Sequence, residues 1–346
     1  MSSWVVNLLA LVSIHWSIGV GDLSPKEAQV WRRLQRGFVT LESQGRPMGA
    51  AALIDSSGLF LTHSASIAGQ SCVGVLPNGA RLILDEISSD TLTKLVLLQA
   101  RNWSPDSATP IRVPIGDEVG HGMVFAVLPG GPIRAAFTQL NRPGFVKAEG
   151  RVIPLNEVQF EAPVDGCAGA LLVDEDNELL GVLGATLSRN GAMDNLAYGG
   201  YGGPKPIEVV PGRSNGSPLA RLFRPHRSRM GPSNLTVAYT AGVVVLKKVV
   251  EGFRSPDHHV GYPSLGVLCR DAIGGGALIQ AIQPDSPADR ARLQSGDILI
   301  QIAGEQIKNQ VDFAMVMLRQ TAGERIVVQF KRNNRVLFEE VIVGHS

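Results

Sequence analysis

Cysteine is scarce: Cys72, Cys167 and Cys269 are the only three in a chain of 346 residues. That is far too few for a disulfide scaffold, and the odd count leaves at least one thiol unpaired in an exported chain. No CxxC and no HExxH occurs, so no metal site is expected and no cofactor is implied. A dominant sign of charge is missing as well. Lys plus Arg is 32 against 31 for Asp plus Glu, which argues against a chain built to hold nucleic acid. Aromatics are only 5% while glycine numbers 39, a composition of turns and short strands rather than of a helical bundle. With 44% hydrophobic residues there is ample material for packed cores, and the length predicts two or three domains.

Long apolar runs are absent too, save one. Trp4 to Val20 is interrupted only by Asn7, Ser13, His15 and Ser17, and it ends in the small residues Gly19-Val20-Gly21 before Asp22. A spanning helix wants about 20 apolar residues, so residues 1–21 read as a signal peptide with a small-residue cleavage site. A retained signal-anchor and an ordinary buried segment are the alternatives, since no Lys or Arg precedes the run. The expected compartment is outside the cytoplasm, periplasmic or secreted, with membrane attachment only if the leader is retained.

Ser24-Pro25-Lys26-Glu27 reads as a capped helix start, with Val30, Trp31 and Leu34 as its apolar stripe. From Phe38 onward the pattern becomes short strands with turn punctuation such as Asp55-Ser56-Ser57-Gly58 and Pro77-Asn78-Gly79. Many such strands over about 150 residues predict a β-barrel or sandwich. The segment 190–234 is rich in Gly, Pro, Ser and Arg and reads as a long surface loop; its basic run, Arg221 through Arg229, is a solvated insertion or a contact for an acidic partner. A helix is expected at about Ala241–Gly252, and Ser255-Pro256-Asp257-His258-His259 reads as a linker. The last 85 or so residues read as an α+β unit, with strands at Leu265–Cys269, Ala277–Ile282, Ile298–Ile302, Arg325–Lys331 and Arg335–Val343 around a helix at Val311–Gln320.

Ser264-Leu265-Gly266-Val267, followed by Asp285-Ser286-Pro287-Ala288 and Leu293-Gln294-Ser295-Gly296-Asp297-Ile298-Leu299, resembles the PDZ domain of bacterial HtrA/DegP proteases. A Leu-Gly turn frees successive backbone N–H groups for a terminal carboxylate, and the next strand can accept an extended peptide. The peptide-binding candidates are Leu265, Gly266, Val267 and Cys269, with Ala314 and Leu318 facing the groove from the helix while Phe313 and Met317 pack inward. Upstream, the hairpin Gly49 to Leu61, Val124–Pro129 with Gly130-Gly131, and Pro163–Leu172 with Leu179-Leu180-Gly181-Val182 are similar to the same family. The resemblance covers about 300 residues and implies a mainly β fold: a trypsin-like double β-barrel at 22–254, then a PDZ domain at 255–346. It also raises a trimer.

Serine proteolysis needs a hydroxyl, an imidazole to take its proton and a carboxylate to orient the imidazole. The family's histidine falls at Ala65 in Leu61-Thr62-His63-Ser64-Ala65-Ser66-Ile67, its aspartate at Lys94, and its serine at Cys167 in Asp165-Gly166-Cys167-Ala168-Gly169-Ala170. Asp165 stands at an oxyanion-hole position normally held by glycine. Loss of these groups forfeits about 10⁴–10⁶-fold in rate, so the residues predict a pseudoprotease, not an enzyme, binding peptide or protein C-termini in a scaffold, chaperone-like or quality-control role. Two alternatives stand beside it. One is a peptidase with Cys167 as nucleophile and His63 or Lys94 as substitute partner; the other is an assembly protein whose PDZ groove is occupied internally.

Overall fold

The computed structural model describes residues 24–67, 69–117, 119, 124–128, 131–146, 151–161, 169–187, 193–194, 208–209 and 235–345. The expected leader at 1–21, Asp165, Cys167, His121 and most of the loop 190–234 lie outside the described residues.

After α1 (Pro25–Leu34) come β1 (Phe38–Ser43), β2 (Arg46–Asp55), β3 (Leu59–His63), β4 (Ser71–Val75), β5 (Arg81–Ser89) and β6 (Leu95–Ala100). They close a barrel in the order β1-β2-β3-β6-β5-β4. The period of two sorts their side chains. On β2, Ala51 and Leu53 point into the barrel, while Ala50, Ala52 and Ile54 point out against the rest of the molecule. On β6, Val96, Leu98 and Ala100 point in, and Leu95 and Leu97 point out. Both faces of these strands are therefore buried, which is why Leu95–Leu98 reads as a continuous apolar run.

The second unit contains β7 (Val124–Leu128), β8 (Gly131–Val146), β9 (Arg151–Glu161), β10 (Leu171–Asp174), β11 (Leu179–Val182), β12 (Ala185–Leu187), β13 (Met193–Asp194), β14 (Glu208–Val209) and β15 (Leu235–Ala241). Their order is β11-β10-β7-β8-β9-β15-β12-β13, with β14 on β8. The sheet curls until β11 meets β15: Val182 N–H donates to Thr240 Oγ1 at 3.1 Å and Gly184 N–H to Tyr239 O at 3.1 Å. This is the second barrel. Its inward residues include Ala170 and Leu172, while Leu171 and Val173 face the first barrel. The long β8–β9 hairpin has no clean alternation in the sequence, because Pro132, Pro143, Gly144 and Pro154 interrupt it; the pairing shifts twice, between Phe137 and Gln139 and again before Arg142.

Helix α2 (Val243–Arg254) follows, with Val243, Val244, Val245, Leu246, Val249, Val250 and Phe253 buried. At about 1.5–3 kcal/mol for each fully buried large aliphatic or aromatic side chain, this face fixes the helix in the seam between the barrels. The expected linker after it is tied down: Ser88 Oγ donates to His258 O at 2.6 Å, and His258 Nδ1 lies 2.7 Å from Phe253 O.

The C-terminal unit has β16 (Pro263–Ser264), β17 (Val267–Asp271), β18 (Ala277–Ile282), α3 (Pro287–Arg290), β19 (Ile298–Ile302), β20 (Glu305–Gln306), α4 (Gln310–Arg319), β21 (Arg325–Arg332), β22 (Arg335–Ile342) and β23 (Gly344–His345). Its sheet runs β17-β18-β19-β21-β22, and β16 pairs β23. Asn309 caps α4 by accepting from Val311 and Asp312 N–H at 2.9 and 2.8 Å. Buried Asp297 holds Arg332 through two bonds of 2.7 Å, tying the turn before β19 to the end of β21.

This unit is clasped to the barrels. Leu318 of α4 joins the apolar cluster of the barrel seam, whereas Met317 belongs to the C-terminal core. Asp117 receives Lys247 from α2 and Arg319 from α4, each at 2.8 Å. Tyr262 OH reaches back to buried Asp90 at 2.9 Å.

Candidate functional site: a barrel seam and a strand–helix groove

Ala65 sits in a single helical turn, Ser64–Ser66, directly after β3. Its N–H donates to His63 Nδ1 at 3.2 Å, while Ser64 N–H donates to Lys94 O at 2.9 Å. The turn carrying Ala65 and the residue before β6 are therefore brought together, at the two positions where the family resemblance puts histidine and aspartate. A methyl group occupies the first and an ammonium-bearing side chain the second. Lys94 holds φ at 61°, the left-handed region, where the chain turns into β6.

His63 is 3% exposed. Burial first, and the nearby Lys94 charge second, push its pKa down to about 4, so the ring is neutral near pH 7. With Nδ1 accepting from Ala65, the ring proton is on Nε2, which is turned toward Gly184. The imidazole thus caps its own turn and packs in the seam.

Gly169, two residues beyond Cys167 in the chain, meets the same turn. A Cβ placed on it would lie 1.7 Å from Ser66 Oγ and 3.6 Å from Thr62 Oγ1. Its φ is +72°, and its N–H donates to Leu183 O at 2.8 Å. Only a residue without a side chain fits that approach. The sequence reading singled out Ala65, Lys94 and Cys167 but missed Gly169 and Ser66 as the pair joining the barrels; the Cys-Ala-Gly-Ala stretch was the available signal.

The second part of the site lies between β17 and α4. Among the described strands β17 is an edge of its sheet, and α4 lies across from it. The cavity between them is lined by Leu265, Val267, Leu268 and Cys269 on one side and by Gln310, Phe313, Ala314, Met317 and Leu318 on the other. All the residues expected in a groove thus line it except Gly266, which stands between the lining residues Leu265 and Val267 in the chain: its φ is +73°, and its N–H donates to Ser264 Oγ at 3.0 Å. Phe313 and Met317 reach both the groove and the C-terminal core. Burial pushes the Cys269 thiol up to about 12.

A third wall comes from the barrels. Leu92, Arg151, Val152 and Ile153 line the same cavity, and the Arg151 guanidinium stands 5.6 Å from the Tyr262 ring centroid. No local motif carries that information, because it arises from contact between segments more than 100 residues apart.

Residues 263–343 match the PDZ domain family. Along the sequence, the chain is 23% identical to a probable periplasmic serine endoprotease, DegP-like, of Marinomonas sp. (strain MWYL1), over 85% of this chain and 56% of that protein. It is 22% identical to the periplasmic pH-dependent serine endoprotease DegQ of Escherichia coli (strain K12), over 86% of this chain and 60% of that one. The chain spans little more than half the length of these relatives. Among solved structures, HtrA-type protease AlgW with a decapeptide superposes with a TM-score of 0.62 at 15% identity, covering 92% of this chain and 98% of the other. The tripeptide complex of AlgW gives 0.63 at 17%, covering 92% and 97%.

These relatives correct one expectation. The reading that the chain is not an enzyme does not stand, because the proteins it matches along most of its length are named serine endoproteases. The physical reason lies in what the substitutions test. Ala65 and Lys94 remove one proton relay from one pair of positions; they do not measure catalysis by the chain. The fold is mainly β and that of the HtrA-type proteases, a trypsin-like double barrel followed by a PDZ domain, and the chain is HtrA/DegP-like in sequence.

Proposed function

We propose that this chain is an exported, periplasmic HtrA-like protein that captures the carboxyl ends of peptides or proteins in the groove between β17 and α4. The observation that carries this reading is the turn between the groove-lining Leu265 and Val267. Gly266, in the left-handed region, donates its N–H to Ser264 Oγ across two residues, and in this reading a terminal carboxylate displaces that hydroxyl and takes the N–H. The edge of β17 adds main-chain pairing, and Val267, Phe313 and Ala314 provide apolar contact for alternate side chains. In this reading residues 22–254 form the protease-fold part and 255–346 the PDZ part, after a leader at 1–21. The barrel wall at Arg151–Ile153 makes the bound end a neighbour of both parts.

Isothermal titration with hydrophobic-ended peptides tests it. A free C-terminus is expected to bind at least about tenfold more tightly than the same peptide amidated, since charge-assisted bonds to backbone N–H contribute about 1.5–3 kcal/mol. Ala314→Arg, which fills the groove, should abolish both. Equal binding of the free and amidated forms would discard carboxylate capture.

The endoprotease relatives favour a second reading, in which the barrels cut peptides with the Cys167 thiolate attacking the scissile carbonyl. Thiol alkylation is a selective probe here. Burial pushes the Cys72 thiol up to about 11 and that of Cys269 to about 12, so neither is reactive at neutral pH. Casein cleavage is then expected to be blocked by iodoacetamide and lost in Cys167→Ala. Cleavage that survives both treatments rules out the thiol.

A further inference from the structure

Strand β22 is the outer edge of the C-terminal sheet among the described residues, opposite to β17. It pairs with β21 over eight residues without a bulge, from Arg332↔Arg335 to Arg325↔Ile342. Four of its five apolar side chains are open to solvent, Val336 at 44% exposed, Leu337 37%, Phe338 61% and Ile342 54%, while Val341 is buried in the core. Soluble proteins usually shorten, bulge or cover such an edge.

The hairpin turn fixes which backbone groups face outward. Asn333 and Asn334 both have positive φ, 50° and 62°, making a two-residue turn of the primed kind. The flanking pair Arg332↔Arg335 of such a turn is hydrogen-bonded, and bonded pairs alternate from there. Arg335, Leu337 and Glu339 therefore turn their N–H and C=O toward β21. Val336, Phe338 and Glu340 turn theirs to the free edge.

We propose that β22 pairs antiparallel with β22 of a second copy of this chain, about a two-fold axis through Leu337. A two-fold axis normal to the sheet keeps each face on its own side, so opposed residues must lie on the same face. Centring on Glu339 sets two carboxylates against each other. Centring on Phe338 sets Val336 against Glu340 and Leu337 against Glu339. Centring on Leu337 sets Leu337 against itself, Val336 against Phe338 in a hydrogen-bonded pair, and Arg335 against Glu339, each of these twice. Charge complementarity selects this register. Arg335 and Glu339 make no ion-pair contact within 4 Å among the described residues, the Glu339 charge acting only at longer range on Arg332, whereas Glu340 is already held by Arg325 at 2.9 Å.

Light scattering on the size-separated full chain tests the pairing. Leu337→Lys, Arg335→Glu and Glu339→Arg are each expected to halve the mass, and Arg335→Glu combined with Glu339→Arg to restore it. Circular dichroism melting confirms that each variant is folded. The register has its own test: opposed residues at a non-hydrogen-bonded position have Cβ atoms about 4.5–5.5 Å apart, near disulfide range. Oxidised Leu337→Cys should give a covalent dimer on a non-reducing gel. Arg335→Cys, whose own mate is four residues away at roughly 13 Å, should not. A mass unmoved by the single substitutions, a double variant that fails to recover it, or equal cross-linking of both cysteine variants would overturn the proposal.

Discussion

Acidifying the protein from pH 7 to pH 4.5 is expected to remove about 2–3 kcal/mol of stability through His63 alone. In the folded chain the ring has a pKa of about 4, lowered by burial and by Lys94. In the unfolded chain it has the ordinary value near 6.5. Between these values the unfolded state binds the extra proton, so stability rises with pH through that window. The contribution is fully present above about 6.5 and disappears as the pH falls toward 4. Carboxylates titrate over part of the same range, so the readout is a difference. His63→Asn keeps an acceptor for the Ala65 N–H and carries no charge at any of these pH values. Urea unfolding between pH 4.5 and 7.5 should give a flatter profile for the variant by that margin. Parallel profiles would mean that the ring is solvated in solution.

Gly169→Ala is expected to cost about 3 kcal/mol or more, from an L-residue forced to positive φ and from overpacking at a fixed seam. The added Cβ would fall 1.7 Å from Ser66 Oγ and 2.9 Å from Ser66 Cβ, so rotating the hydroxyl relieves only part of the clash. Combining Gly169→Ala with Ser66→Gly removes both atoms and should recover the steric share, leaving the backbone penalty of about 1–3 kcal/mol. A double-mutant cycle in urea separates the two shares. If Gly169→Ala shifts unfolding by less than about 1 kcal/mol and Ser66→Gly adds nothing, the two barrels are not joined at this contact. The seam matters because the segment beyond Cys167 and the turn carrying Ala65 meet there.

Legibility varied with how local each cause was. The strands β2, β6 and β10 were readable because their apolar residues are contiguous and bounded by turns. Helix α4 was readable from the four-residue spacing of Ala314 and Leu318, though it runs Gln310–Arg319, one residue before the expected Val311–Gln320, because Asn309 caps it there. The β8–β9 hairpin was not read, since its prolines break the alternation that marks a strand. At the seam, the family resemblance singled out Ala65 and Lys94, and the fold does bring their segments together through Ser64 and Lys94. The same comparison offered His63 as a substitute base. It had no means of showing that Nδ1 is engaged by the Ala65 N–H or that the ring has lost its water.

Local chemistry was enough to determine the chain's parts. Backbone preference and hydrophobic period are properties of neighbouring residues, so the run of short strands, the helix after them, the α+β C-terminal unit and the Leu265-Gly266 turn were written in the amino-acid string, while the division of the strands into two barrels came from the family resemblance. Desolvation and contact are properties of residues distant in the chain, and these only the folded arrangement decided. Burial set the charge state of His63, the approach of Ser66 made Gly169 irreplaceable, and docking of α4 against the barrels placed Arg151, Val152 and Ile153 along the groove between β17 and α4.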